Sequence, residues 1–129
     1  VNDPLPANVR RFIADQIESV AQLETLLLLR TDPQQSWNAQ ELASRLYISE
    51  KMCRSMLEDL ERRKFIVRDP LKKSVRYECL NFEADATVAV LTELYRDRRV
   101  AVISEIHSTP ISKVQTFADA FRLRKDDKL

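Results

Sequence analysis

Residues 37–79 read WNAQELASRLYISEKMCRSMLEDLERRKFIVRDPLKKSVRYEC, and the order of signals along them decides the fold. Asn38 with Glu41 three residues later has the form of a capping box, so a helix starts after Asn38 and continues through Leu46. Leu42, Ala43 and Leu46 form its inner face. A break follows at Tyr47-Ile48. Ser49 is a cap-forming residue and opens a second helix that runs to about Arg63. At 100° per residue, Met52, Cys53, Met56, Leu57 and Leu60 fall on one side of that helix, and Lys51, Arg54, Ser55, Glu58 and Arg62 fall opposite. Phe65 to Arg68 then reads as a strand, Asp69 to Ser74 as a turn, and Val75 to Cys79 as a returning strand.

Helix, break, helix and hairpin make a winged helix-turn-helix. The flanks are helical too. Asn8 to about Glu18 carries Val9, Phe12, Ile13 and Ile17 at helical spacing, and Ser19 caps a new turn or a kink. Val20, Leu23, Leu26, Leu27 and Leu29 make the next stretch largely buried, and Thr31-Asp32-Pro33 ends it. Residues 1–7 are expected to be loose. After the hairpin, Asn81-Phe82-Glu83 reads as a connector, and one long helix is expected from Ala84 to His107. Ser108-Thr109-Pro110 breaks it, and Ile111, Val114, Phe117, Ala118 and Phe121 mark a last amphipathic helix before a charged tail. The expected architecture is mainly α: one domain over 1–129, with N-terminal helices over 8–30, the winged head over 37–79 and a helical extension over 84–121.

With 129 residues, 44% hydrophobic and 32% charged, the chain has the composition of a soluble globular protein. Twenty-one Lys and Arg balance 20 Asp and Glu, so nucleic-acid binding has to come from a local patch. No apolar run approaches the roughly 20 residues that cross a bilayer, and the opening Val-Asn-Asp-Pro-Leu-Pro has no leader character, so a cytoplasmic protein without membrane contact is expected. The chain has no glycine, which excludes the glycine-rich phosphate loops. Positive-φ turns must use other residues. Cys53 and Cys79 match no metal spacing, and Cys53 is expected as a buried reduced thiol. The single histidine, His107, sits at a helix end, where it can serve terminal carbonyls. No catalytic residue, metal site or cofactor is expected.

The segment Ser49 to Tyr77 resembles the recognition helix and wing of winged helix-turn-helix transcription factors of the MarR-like kind, notably in Met56-Leu57-Glu58-Asp59-Leu60-Glu61-Arg62-Arg63-Lys64-Phe65-Ile66-Val67-Arg68. Where Lys64 stands, that family commonly has glycine, because the helix closes there in a left-handed turn. The resemblance covers residues 37–79 and implies a reader of double-stranded DNA. Ser49, Lys51, Arg54, Ser55 and Arg62 would face the groove, and Lys72, Lys73 and Arg76 the backbone. Over residues 49–76 nine Lys/Arg stand against five Asp/Glu, an excess of +4, with Glu50 and Glu58 on the reading helix opposing phosphates. The alternative is a winged-helix adaptor whose partner is another protein. The 84–107 helix could pack on residues 9–29 of the same chain. It could instead pair with its twin in a homodimer through Val88, Leu91, Tyr95, Val102 and Ile106. Arg96, Arg98 and Arg99 read as solvated or paired with Asp97 and Glu93, or more sharply as a ligand or phosphate site. Trp37, Tyr47, Phe65 and Tyr77 are expected in the core of the head.

Overall fold

A computed structural model describes residues 4–108. Its elements are α1 (Ala7–Gln16), α2 (Val20–Thr31), α3 (Ala39–Leu46), α4 (Glu50–Arg62), the hairpin β1 (Ile66–Asp69) and β2 (Ser74–Tyr77), α5 (Phe82–Asp97) and α6 (Arg99–Ser108). The last helix expected from Ile111 to Phe121 lies outside the described residues.

Local chemistry sets most boundaries. The Ser19 and Ser49 hydroxyls accept from the amides of Gln22 and Met52 and start α2 and α4. Asn38 and Glu41 form both arms of the capping box at α3, the Asn38 side chain accepting from the Glu41 amide and the Glu41 carboxylate from the Asn38 amide. The strands pair antiparallel with Ile66 opposite Tyr77 and Asp69 opposite Ser74. Trp37 adds a one-residue third strand by exchanging two 2.8 Å backbone hydrogen bonds with Val75, which fastens the wing to the residue before the Asn38 cap of α3.

Without glycine, three residues among those described take positive φ: Tyr47 at 58°, Lys64 at 72° and Lys73 at 53°. Lys64 adopts the left-handed turn where the resemblance implied one. Each such turn costs a non-glycine residue about 1 kcal/mol. Tyr47 closes α3, its amide bonding back to the carbonyls of Ala43 and Ser44.

The core runs from Leu5 and Val9 through Leu26, Leu42, Leu57 and Phe65 to Leu91 and Ile106. Leu5 is buried and α1 starts at Ala7, so the expected loose start does not extend to these residues. Three expectations about the C-terminal half change. Asn81 is the cap of α5 and its side chain accepts from the Ala84 amide, so Phe82 and Glu83 belong to the helix and not to a connector. The single helix from Ala84 to His107 is two, broken at Arg98 (φ −135°, ψ 51°). Both halves pack on α1. A straight helix of that length would extend about 35 Å, more than twice the roughly 15 Å of ten-residue α1, so the bend lets both halves bury against it. Finally, Val88, Leu91, Tyr95, Val102 and Ile106 are all buried in the chain's own core. The apolar stripe assigned to a two-fold partner is already covered by its own helices.

Candidate nucleic-acid interface

The candidate surface comprises the outward face of α4, the wing turn and the N-terminus of α3. The buried side of α4 is Cys53, Leu57 and Leu60; Met56 is half-buried, and Met52, expected inside, is 46% exposed. The polar side carries Lys51, Arg54, Ser55, Glu58 and Arg62, all exposed. Between this helix, the wing and the start of α3 runs a groove of about 620 Å³ lined by Asn38, Gln40, Glu50, Arg54, Glu58 and Lys73. The wing turn is held by the Asp69 carboxylate, which accepts from the amides of Leu71 (3.0 Å) and Lys72 (3.2 Å), so Lys72 and Lys73 project from a fixed loop.

The basic residues of this region divide by type. Every arginine between 49 and 76 has an acid partner: Arg54 with Glu50, Arg62 with Asp59 (2.7 Å), Arg63 with Asp59 (2.8 Å) and Glu18 (3.0 Å), Arg68 with Glu61 (3.1 Å), and Arg76 with Glu78 (3.0 Å). Among the described residues Lys51, Lys64, Lys72 and Lys73 have none. The local excess of +4 is thus carried in effect by four exposed lysines.

The residues expected to face DNA therefore stand in three situations. Lys51, Ser55, Lys72 and Lys73 are exposed with uncommitted side chains. Arg54, Arg62 and Arg76 are partnered by carboxylates. Ser49 uses its hydroxyl to cap α4.

The far end of α4 is fastened to the body of the protein. Arg63 reaches across to the α1–α2 corner, donating to the Asp15 carbonyl (3.0 Å), the Gln16 side chain (3.2 Å) and Glu18 (3.0 Å) as well as to Asp59. Gln22 also donates to Asp59, and its own side-chain oxygen accepts from the Glu18 amide. Burial works to raise the Asp59 carboxyl, but the guanidiniums of Arg63 and Arg62 overcome it and hold the group below the ordinary carboxylate range. A second junction ties the wing to α5. The Tyr77 hydroxyl donates to Asp85 at 2.5 Å, and Arg30 of α2 pairs with the same carboxylate at 3.1 Å. Burial and that hydrogen bond push the Tyr77 phenol far up. The bond from Tyr77 and the charge of Arg30 hold Asp85 down against a smaller effect of burial.

Of the four aromatics expected inside, Trp37, Phe65 and Tyr77 are buried, and Phe12 meets Phe65 edge-on at 5.8 Å. Tyr47 is not: it is 94% exposed. It lies in the break, off the apolar stripes of both helices, and that position is the signal that separates it from the other three. Arg96 pairs with Asp97 as expected, at 3.0 Å, and Arg99 lies over the Tyr95 ring at 4.8 Å. Among the described residues no group of His, Cys, Asp and Glu could hold a metal ion, and no helix is long and apolar enough to cross a membrane.

No family model matches the chain, and no curated protein matches it. Solved structures do. MepR of Staphylococcus aureus, a transcription regulator of the multidrug efflux pump MepA, superposes with a TM-score of 0.50 at 17% identity over 92% of this chain and 90% of that one. A mutant of the same protein from a multidrug-resistant clinical isolate gives 0.52 at 18% identity over 94% and 87%. At this identity the likeness is one of fold: helices and a two-stranded wing arranged as in a winged-helix regulator, as the 37–79 segment led us to expect.

Proposed function

We propose that this chain is a DNA-binding transcriptional regulator that places the N-terminal half of α4 in the major groove and the wing turn against the backbone. The observation that carries this reading is the division among basic residues. The lysines of α4 and the wing are exposed and unpaired on surfaces that a winged helix turns toward a duplex, while the arginines are held by acids. Lys51 and Ser55 are assigned to the groove, Arg54 to a phosphate or base edge after exchange of Glu50, and Lys72 and Lys73 to phosphates. Arg62 and Arg76 lie at the margins, and Ser49 acts through the helix end that it caps. The chain works as a homodimer in the cytoplasm. The dimer does not use the buried stripe of α5 and α6; exposed apolar side chains on those helices, Val90 and Val100, are assigned to it instead. The MepR likeness supports this reading through the shared fold.

Neutralising Lys51, Lys72 and Lys73 together to Gln should weaken binding to a mixed-sequence duplex by about tenfold or more and flatten the dependence of log affinity on log salt by roughly one unit per lost phosphate contact. An unchanged salt slope refutes the reading. A protein-binding adaptor is favoured by one feature: Leu80 and Phe82, 84% and 90% exposed, flank the Asn81 cap. It predicts a chain that leaves duplex alone at low salt and loses a co-purifying protein when these two are changed to Ser.

A further inference from the structure

Tyr47 combines two observations that oppose its keeping a bulky ring. Its φ of 58° is one that an aromatic residue adopts only under strain, and the residue is 94% exposed, so the ring returns almost nothing in packing. The turn needs the backbone shape and does not need the ring. Glycine or asparagine would serve the α3 cap better. What the ring does have is position. Tyr47 stands two residues before Ser49, the cap of α4, and its Cα is therefore within about 7 Å of the Ser49 Cα. Arg45, in the last turn of α3, is exposed and has no acid partner among the described residues.

We infer that Tyr47 is a DNA-contact residue, held in a strained turn so that its phenol meets the sugar–phosphate rim where α4 enters the major groove. The inference rests on the DNA reading above. A helix about 10–12 Å across fills a major groove about 12 Å wide, so the turn that leads into it passes against the phosphate walls. A tyrosine there has a hydroxyl to donate to a phosphate oxygen and a ring to lie on the sugar. Arg45 supplies positive charge from the same corner.

The signature is an opposition of signs. Tyr47→Gly and Tyr47→Asn should melt at the wild-type temperature or up to roughly 4 °C above it, because strain is removed and no packing is lost. The same variants should bind a mixed-sequence duplex of roughly 25 base pairs about tenfold more weakly. Tyr47→Phe separates the two contacts: a loss as large as that of Tyr47→Gly places the effect in the hydroxyl, and a smaller one shares it with the ring. The inference is overturned if Tyr47→Gly binds duplex as the wild type does, or if both Tyr47→Gly and Tyr47→Asn melt lower, which would give the ring a role in the fold. The Lys51, Lys72 and Lys73 variant is run beside them. If it loses binding while Tyr47→Gly keeps it, only this inference fails. If the wild type binds no duplex, both fail.

Discussion

The two ends of α4 are treated in opposite ways. At the C-terminal end, Arg63 and Asp59 join the helix to α1, to the corner before α2 and to Gln22 through a network of hydrogen bonds, with the Arg63 and Asp59 side chains only 20% and 14% exposed. At the N-terminal end the helix has a serine cap, a buried stripe and one exposed ion pair, Arg54 with Glu50, and beyond these Lys51, Met52 and Ser55 face outward. One end is over-determined and the other presents groups without partners. A helix anchored at one end can offer the other rigidly without committing its side chains to the protein, as the reading role proposed for α4 requires.

The largest effect is expected where the anchoring is densest. Arg63→Ala removes the donors that reach the α1–α2 corner and leaves Asp59 with Arg62 and Gln22 alone. The loss should be about 2 kcal/mol, below the 3–5 kcal/mol typical of fully buried pairs because both side chains retain some exposure, and should appear as a drop in melting temperature of roughly 8 °C. Arg63→Lys should recover only part, since an ammonium cannot span the same set of acceptors as a guanidinium. A melting curve for Arg63→Ala like that of the wild type would remove the distinction between the two ends.

The same network should be visible in the acid limb. Asp59 is held below its ordinary value in the folded chain, so its contribution is complete above the unfolded value and is lost as pH falls through the folded one. Asp59→Asn should cost about 1 kcal/mol near neutrality, and the gap from wild type should narrow progressively in denaturant titrations as pH falls below about 5 and through the folded value of the carboxyl. Asp85, lowered by Tyr77 and Arg30, should keep some acid sensitivity in that variant. A gap that stays constant across that range would mean that the Asp59 charge is not what the network holds.

What was legible in the sequence follows the same division between local and distant causes. The Asn38–Glu41 box, the Ser19 and Ser49 caps and the wing depend on residues a few positions apart, and all were readable, whereas the left-handed turn at Lys64 was implied by the family resemblance alone. The bend at Arg98 depends on the length of α1, more than eighty residues earlier, and periodicity carries no record of it. The stripe of Val88, Leu91, Tyr95, Val102 and Ile106 was correctly apolar, but a pattern says that a face is covered and not which chain covers it. The charge count was right and its distribution was hidden. Arg63 meets Glu18 across 45 positions, and Arg68 meets Glu61 only once the strand folds back beside α4, so the division between paired arginines and bare lysines emerges in three dimensions.

The smallest expected effect tests the bare end directly. Glu50 is exposed, sits in the first turn of α4, and pairs with Arg54 four residues on. Glu50→Gln gives up that pair and a favourable interaction with the helix dipole, each worth a few tenths of a kcal/mol, so the melting temperature should fall by about 2 °C or less. Duplex affinity should move the other way. Arg54 is released toward phosphate and one repelling carboxylate leaves the groove, for a gain of about threefold at low salt, while Arg54→Gln should lose by a similar factor. Weaker binding by Glu50→Gln would mean that the carboxylate positions Arg54 for the duplex, and the exposed end of α4 would then be as deliberately organised as the anchored one.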